Sequence, residues 1–143
     1  MEREYPNAPM VGVGAIIVDE GRVVLVKRAH SPMLGEWSIP GGALELGETM
    51  REAVIREARE ETGLDVEPMA LVGVFDRVIR DEGGSVLYHY ILVDYYCRRV
   101  GGELRAGSDC DAARWFSPDE VAGMLLPKDT AEVVRLGFEK AGS

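Results

Sequence analysis

Three glutamates, Glu57, Glu60 and Glu61, are the side chains of this sequence whose type and spacing best suit chemistry. In an α-helix, residues at i, i+3 and i+4 share one face, so the three carboxylates would line one side of two turns. Like charges at i,i+4 destabilise a helix by roughly 0.2–0.5 kcal/mol per pair, which suggests that the cluster is kept for a use. Carboxylate oxygens are the ligands that Mg²⁺ and Mn²⁺ prefer. The alternative is a solvated helix face, partly neutralised by Arg56 and Arg59.

The segment that must position these glutamates predicts a helix that begins just after Thr49 and ends before Gly63. Thr49 and Glu52 form the S/T-x-x-E pattern of a capping box. Gly63 suits the position after the last helical residue, where a positive φ is easiest for glycine. A glycine pair, Gly41-Gly42, comes before the helix and indicates a tight turn beside it.

The rest of the chain predicts strands and two further helices. Strands are expected at residues 11–18, 22–28, 69–79, 85–98 and 112–116, with turns at 19–21, 81–84 and 101–102 and a loop at 30–37. One helix is expected to begin after Ser117, where Pro118 and Glu120 give two independent start signals, and another covers residues 129–140. Antiparallel hairpins mixed with helices predict an α+β fold, in a single domain over residues 1–143.

Composition narrows the class of partner. The chain has 143 residues, with 16 Lys+Arg against 25 Asp+Glu and a net charge of −9. This charge argues against general affinity for nucleic acid or for anionic membranes, and a phosphate substrate would need bound cations or local arginines. Cys97 and Cys110 have no metal-type spacing and predict free thiols in a reducing compartment. With no signal-peptide pattern and no apolar run of membrane length, a cytoplasmic location is expected.

The glycine pair, the helix and its closing glycine together resemble the Nudix box, G-x5-E-x7-R-E-U-x-E-E-x-G-U, where U is a bulky aliphatic residue. The matching residues are Gly42, Glu48, Arg56, Glu57, Ala58, Glu60, Glu61, Gly63 and Leu64. Every fixed position matches, and Ala58 alone is small for its U position. The run at residues 35–42, GEWSIPGG, is also similar to the family's approach to the box. The resemblance implies a mixed β-sheet sandwiched between helices, an α/β/α arrangement.

The resemblance also implies an activity and a set of site residues. Nudix hydrolases cleave a nucleoside diphosphate linked to another moiety, using Mg²⁺ or Mn²⁺. The implied metal ligands are Glu57, Glu60, Glu61 and the carbonyl of Gly41. Arg56 would orient the glutamates through charge-assisted hydrogen bonds, with Glu48 beside it. Glu57, Glu60 and Arg56 are therefore the predicted catalytic residues.

The group that accepts the proton from water has more than one candidate. Divalent cations neutralise a diphosphate, position water and lower its pKa, and a carboxylate not saturated by metal then takes the proton. Glu57 is the first candidate. Asp109 and Asp111 lie outside the box and are alternatives, either as the base or as an extra ligand. Their competing interpretation is that of ordinary loop acids.

Four residues outside the box are candidates for substrate binding. Arg28, at the end of a strand, could reach a phosphate, although a surface arginine is an equal alternative. Trp37, Tyr88 and Tyr90 could stack on a nucleobase, but aromatic residues in strands usually fill a core. Tyr88 and Tyr90 alternate with His89 and should share one face of their strand.

The residues that select the substrate lie outside the box. Residues 113–120, ARWFSPDE, resemble small ADP-ribose pyrophosphatase-like members, so ADP-ribose or a related nucleotide sugar is the first expectation. Nucleoside triphosphates, as in MutT-type members, are second, and dinucleoside polyphosphates are third. A domain that binds a nucleotide without hydrolysing it is the alternative from another class. The resemblance also makes a homodimer an expectation.

Overall fold

The computed structural model describes residues 3–30, 34–107 and 109–142, so the predicted loop at residues 30–37 lies partly outside the described residues. The elements are β1 (Met10–Asp19), β2 (Arg22–Arg28), β3 (Trp37–Ser38), β4 (Gly41–Ala43), α1 (Met50–Thr62), β5 (Leu64–Arg80), β6 (Val86–Gly102), β7 (Cys110–Phe116), α2 (Pro118–Ala122) and α3 (Lys128–Ala141).

A mixed sheet in the order β3-β2-β1-β6-β5 forms the centre of the molecule. β1 runs parallel to β6, while β5 and β6 form a long antiparallel hairpin. β1 pairs with β2 only near its end, where Val18 lies opposite Val23, and β7 extends the sheet beside β2. Nearer its start, at residues 12–14, β1 pairs instead with β4, and Gly14 lies opposite Gly41. The sheet therefore opens between β1 and β2, and the candidate site lies at this opening.

The sheet is covered by helices on both faces. Val13 and Ile17 of β1 belong to one buried cluster, which includes Ala53, Val54 and Ala58 of α1. Ile16 and Val18 belong to a second cluster with Val133 and other residues of α3. Successive strand residues point to opposite faces, so this alternation shows α1 and α3 on opposite sides of β1. The α+β prediction with a sheet sandwiched between helices is confirmed.

Local signals predicted the helix ends well. Thr49 accepts a hydrogen bond from the Glu52 backbone N–H, and the Glu52 side chain accepts one from the Thr49 N–H, which completes the capping box of α1. Gly63 follows the helix with φ of 74°, the left-handed conformation predicted for it. Ser117 caps α2 in the same way, although α2 has only five residues.

Long-range pairing explains where the predictions differ from the structure. The turn predicted at residues 101–102 is wrong, because both glycines continue β6 and lie opposite Asp65 and Leu64 at the start of β5. β5 begins directly after α1 and includes Pro68, beside an irregularity in the ladder where a missing N–H is tolerated. The short strands β3 and β4 were not predicted, since β2 and β1 supply their pairing partners.

Two other expectations concern thiols and membranes. Cys97 and Cys110 are free and buried. In the described part of the chain, no helix combines the length and apolarity needed to cross a bilayer.

Candidate active site

A cavity of about 430 Å³ lies at the opening between β1 and β2, within the size of small-molecule sites of roughly 300–1,000 Å³. Glu57, Glu60 and Glu61 of α1 line one part of it. Residues from four strands (β1, β2, β5 and β6), the β3–β4 region, the loop before β7 and the start of α3 line most of the remainder. Among these other lining residues are Gly12, Gly14, Arg28, Ile39, Gly41, Gly42, Phe75, Arg77, Tyr90, Leu92, Asp94, Asp109, Asp129, Thr130 and Val133.

Arg56 connects the acidic residues of the box. Its Nε and Nη2 donate to the two carboxylate oxygens of Glu48 at 2.6 and 2.9 Å, in a bidentate pair. Its Nη1 donates to Glu57 Oε1 at 2.7 Å and to Glu60 Oε2 at 3.3 Å. Nη2 also donates to the carbonyl of Ala43, which ties α1 to β4. These contacts raise the pKa of the Arg56 guanidinium, with Glu48 as the main cause.

Glu57 packs directly against the glycine pair. A Cβ atom at Gly42 would lie only 2.5 Å from the Glu57 carboxyl carbon, so position 42 must be glycine for this carboxylate to sit beside β4. Burial raises the pKa of Glu57, the contact with Arg56 opposes this, and the charges of Glu61 and Glu60 raise it further. The Glu57 carboxylate is thus held in an electrostatically unfavourable place that a bound cation would relieve.

Glu61 is fixed from both sides. It is only 6% exposed, its Oε1 accepts the N–H of Gly41 at 2.8 Å, and its Oε2 accepts Nη1 of Arg28 at 2.6 Å. Arg28 also donates to Ser38 Oγ and to the carbonyl of Ile39, each at 2.8 Å. The guanidinium predicted to reach a substrate phosphate is therefore engaged with Glu61 and the β3–β4 region, although Arg28 does line the cavity.

The donor set suits a divalent cation only in part as the side chains stand. Within residues 3–30, 34–107 and 109–142, no three His, Cys, Asp or Glu side chains form a ready metal cluster. Arg56 and Arg28 hold carboxylate oxygens of Glu57 and Glu61. Glu60 has a more exposed side chain, at 58%, and faces the same cavity. Carboxylates that face one cavity fit an ion such as Mg²⁺, which keeps several of its waters when bound. The predicted set of metal ligands remains a prediction.

The loop after β6 brings one of the two acidic alternatives to the cavity. Its backbone caps α1, since the N–H of Arg105 donates to Thr62 O at 2.8 Å and that of Gly107 to Glu61 O at 3.0 Å. Asp109 follows this loop, lines the cavity and has a side chain that is 76% exposed. Asp111 is exposed and is not among the described lining residues.

Of the three aromatic candidates, the structure brings one to the cavity. Tyr90 lines it and stacks on Tyr88 with ring centroids 6.4 Å apart, so the two rings share a strand face as predicted. Tyr88 is buried and donates a hydrogen bond to Glu4. Trp37 packs edge-on against Phe116 at 5.2 Å. Neither Tyr88 nor Trp37 is among the described residues that line the cavity.

One buried acid at the cavity was not predicted from the sequence. Asp94 on β6 is only 6% exposed, and burial raises its pKa to about 7, while the charge of Arg77 opposes the shift. The sequence did contain a signal for it, since Asp94 is the one charged residue in the apolar run at residues 91–96. An acid in such a run is expected to be buried, and acids are rarely buried without a partner.

The sandwich and this glycine-framed, carboxylate-lined cavity define a class: α+β proteins with a small-molecule site beside an acidic helix. The family model for the NUDIX domain matches residues 8–136. The chain therefore belongs to the Nudix hydrolase family, whose members generally use divalent metals.

Two proteins with similar sequences are described in different ways, one as an ADP-ribose pyrophosphatase and one as MutT-like. A protein of Methanocaldococcus jannaschii described as ADP-ribose pyrophosphatase is 41% identical over 108 residues, which cover 76% of this chain and 62% of that protein. The matched region thus spans less than two thirds of that relative. A MutT-like protein of Streptomyces ambofaciens is 36% identical over 122 residues, covering 85% of this chain and 72% of that protein.

Solved structures share the fold over nearly the whole chain. A MutT NUDIX hydrolase from Burkholderia pseudomallei has 32% identity and a TM-score of 0.78, covering 91% of this chain and 98% of that one. An ADP-ribose pyrophosphatase from Streptococcus suis has 30% identity and a TM-score of 0.72, covering 95% of this chain and 94% of that one.

Proposed function

We propose that this chain hydrolyses the pyrophosphate bond of a nucleoside diphosphate linked to another moiety. The observation that carries the proposal is the position of Glu57, Glu60 and Glu61, which all face one ligand-sized cavity beside the glycine pair. Arg56 and Arg28 hold these carboxylates in place. Membership of the Nudix hydrolase family agrees with this reaction.

Mg²⁺ or Mn²⁺ is the cofactor of the proposed reaction. Glu57, Glu60 and the Gly41 carbonyl would hold it, with Glu61 beside them. When bound, such an ion neutralises diphosphate oxygens and lowers the pKa of its water. Arg56 keeps Glu57 and Glu60 directed at the cavity, and its bidentate contact with Glu48 fixes its own orientation.

Glu57 is the proposed base. Its Oε1 accepts the hydrogen bond from Arg56, and a lone pair of this carboxylate that the cation does not use would take the proton of the attacking water. Asp109 is the alternative, because it also lines the cavity. Asp111 is less favoured, since it is not among the described residues that line the cavity.

ADP-ribose or a related nucleotide sugar is the proposed substrate. Two of the similar proteins, from Methanocaldococcus jannaschii and Streptococcus suis, are described as ADP-ribose pyrophosphatases. A nucleoside triphosphate is the second candidate, because the relatives from Streptomyces ambofaciens and Burkholderia pseudomallei are described as MutT-like.

A substrate panel with product analysis tests the proposal. Purified protein with Mg²⁺ is given ADP-ribose, nucleotide sugars, deoxynucleoside triphosphates and dinucleoside polyphosphates. We expect the highest kcat/KM for ADP-ribose, with AMP and ribose 5-phosphate as products. Preferential release of pyrophosphate from a triphosphate would support the second candidate. Hydrolysis of none of these compounds would contradict the proposal and favour a domain that only binds nucleotides.

A further inference from the structure

Asp94 lies between two glycines on the neighbouring strands. Gly14 of β1 is opposite Asp94 on one side, and Gly73 of β5 is opposite it on the other. A Cβ atom at Gly14 would collide with Asp94 Oδ1 and would come within 2.6 Å of Ile39 Cδ1. The carboxyl group therefore occupies space that any side chain at position 14 would fill.

Among the described residues, none donates a hydrogen bond to this buried carboxyl group. Asp94 is 6% exposed, and among the described residues only the charge of Arg77 acts on it electrostatically. No described side-chain oxygen or nitrogen is both sealed from solvent and unpaired, so the Asp94 oxygens are open to the cavity that the residue lines. The acid is thus presented to whatever enters the cavity.

A structural role does not account for a carboxyl group at this place. Removing most of a carboxyl group from water without a donor from the protein is unfavourable, and an apolar side chain would avoid this cost. On the same side of the cavity, the apolar and aromatic residues Phe75, Tyr90, Leu92 and Val133 lie with the polar residues Arg77, Asp129 and Thr130. An acceptor beside the flat rings of Phe75 and Tyr90 is an arrangement that holds a planar ring by its faces and contacts its edge.

The two acidic parts of the cavity have different surroundings. Glu57 and Glu60 lie on α1 beside the glycine pair, whereas Asp94 lies on β6 next to β1, on the side of the sheet that α3 covers. The Asp94 carboxylate repels a phosphate, although the charge of Arg77 in the same part of the cavity weakens this repulsion. A group that carries hydrogen-bond donors is therefore the best match for Asp94.

We propose that the recess formed by Asp94, Phe75, Tyr90, Leu92 and Val133 binds the nucleobase of the substrate, and that the Asp94 carboxyl group accepts hydrogen bonds from N–H groups on the edge of the base. This assignment rests on the proposed function, because it concerns the nucleoside part of the same substrate. It makes Asp94 a residue that determines which base is accepted.

The test compares wild type with Asp94→Asn, in which one acceptor oxygen becomes a donor without a change of size. Asp76→Asn, an exposed acid on the neighbouring strand β5, is the matched control. For the substrate that the wild type hydrolyses best, we expect Asp94→Asn to raise KM about ten-fold or more with little change in kcat, since a ground-state contact to the base is lost. Asp76→Asn should match the wild type.

Substrate analogues identify which group Asp94 contacts. An analogue that lacks the exocyclic amino group of the base should have a raised KM with wild type, and Asp94→Asn should discriminate against it far less. If the 2′-deoxy analogue shows this coupling instead, Asp94 contacts the ribose and the assignment to the base is wrong. A fall in kcat without a change in KM, or kinetics equal to those of Asp76→Asn, would also overturn it.

A binding measurement separates this proposal from the proposed hydrolysis. Calorimetric titration with AMP, GMP, CMP and UMP needs no turnover. We expect at least one of them to bind wild type about ten-fold more tightly than Asp94→Asn, as for loss of one hydrogen bond to a charged group. This result without hydrolysis in the substrate panel would refute the enzyme and keep the base recess. Hydrolysis with equal binding by both proteins, or no binding to wild type, would refute the recess.

Discussion

At the scale of single residues, two arginines determine where the carboxylates point. Arg56 joins Glu48 to Glu57 and Glu60, and Arg28 holds the buried Glu61. The resemblance to the Nudix box implied the first of these groups, whose members lie within a short stretch of helix and loop. The contact between Arg28 and Glu61 links positions 33 residues apart and depends on the packing of β2 against α1. Sequence spacing alone could not predict it.

Replacing Arg56 with lysine tests the orienting role. Arg56→Lys keeps the charge but loses the planar fork that contacts Glu48 at two oxygens. We expect kcat/KM to fall roughly 10–100-fold and more Mg²⁺ to be needed for half-maximal rate, as for other residues that support metal ligands. Arg59→Lys on the same helix is the control, because Arg59 pairs with Asp65 at the surface. Equal Mg²⁺ dependence of the two variants would contradict the role.

The pH dependence of stability tests the environment of Asp94. Its pKa is raised to about 7 in the folded protein from 3.8. Between these values the folded state binds more protons than the unfolded state, so Asp94 makes the free energy of unfolding fall as pH rises. The loss is complete above pH 7 and amounts to at most about 4 kcal/mol.

Urea unfolding from pH 4 to pH 8 measures this effect. Asp94→Asn should become more stable than wild type as pH rises, whereas Asp76→Asn should follow wild type. Parallel stability curves for wild type and Asp94→Asn would show that the carboxyl group is not desolvated.

At the scale of elements, α1 is the part of the fold that the sequence predicted best. Its capping box and its closing Gly63 are local features, and both take the predicted conformation. The extension of β6 to Gly102, and the existence of β3 and β4, depend on partner strands that are distant in sequence. The cavity arises from the same non-local event, the separation of β1 from β2.

Removing the cap of α1 should weaken the protein without removing its chemistry. In Thr49→Ala, the Glu52 backbone N–H loses its side-chain acceptor. We expect the free energy of unfolding to fall by about 1 kcal/mol in urea titrations. Thr49→Ser keeps the hydroxyl group and should stay close to wild type. A Thr49→Ser variant as unstable as Thr49→Ala would show that the methyl packing, and not the cap, supports the helix.

At the scale of the whole molecule, charge makes a cation central to the proposed reaction. The chain carries −9, and a diphosphate brings further negative charge to a cavity that already holds three glutamates. Arg28, which lines the cavity, and Arg56 beside it are already used to orient carboxylates, so neither is available to balance the added charge. The cytoplasmic location and the homodimer remain predictions. Sedimentation velocity would show whether the protein is a dimer in solution.

The most direct test of the proposed metal-assisted chemistry is the hydrolysis of ADP-ribose by wild type, Glu57→Gln and Glu52→Gln, each with Mg²⁺ and with excess chelator. Glu52→Gln is a matched change on the same helix, and glutamine also suits its place in the capping box. We predict that chelator abolishes wild-type activity, and that Glu57→Gln lowers kcat about 100-fold or more while Glu52→Gln stays near wild type. Activity that persists in chelator, or equal rates for the two variants, would contradict a metal-assisted reaction at the Glu57 carboxylate.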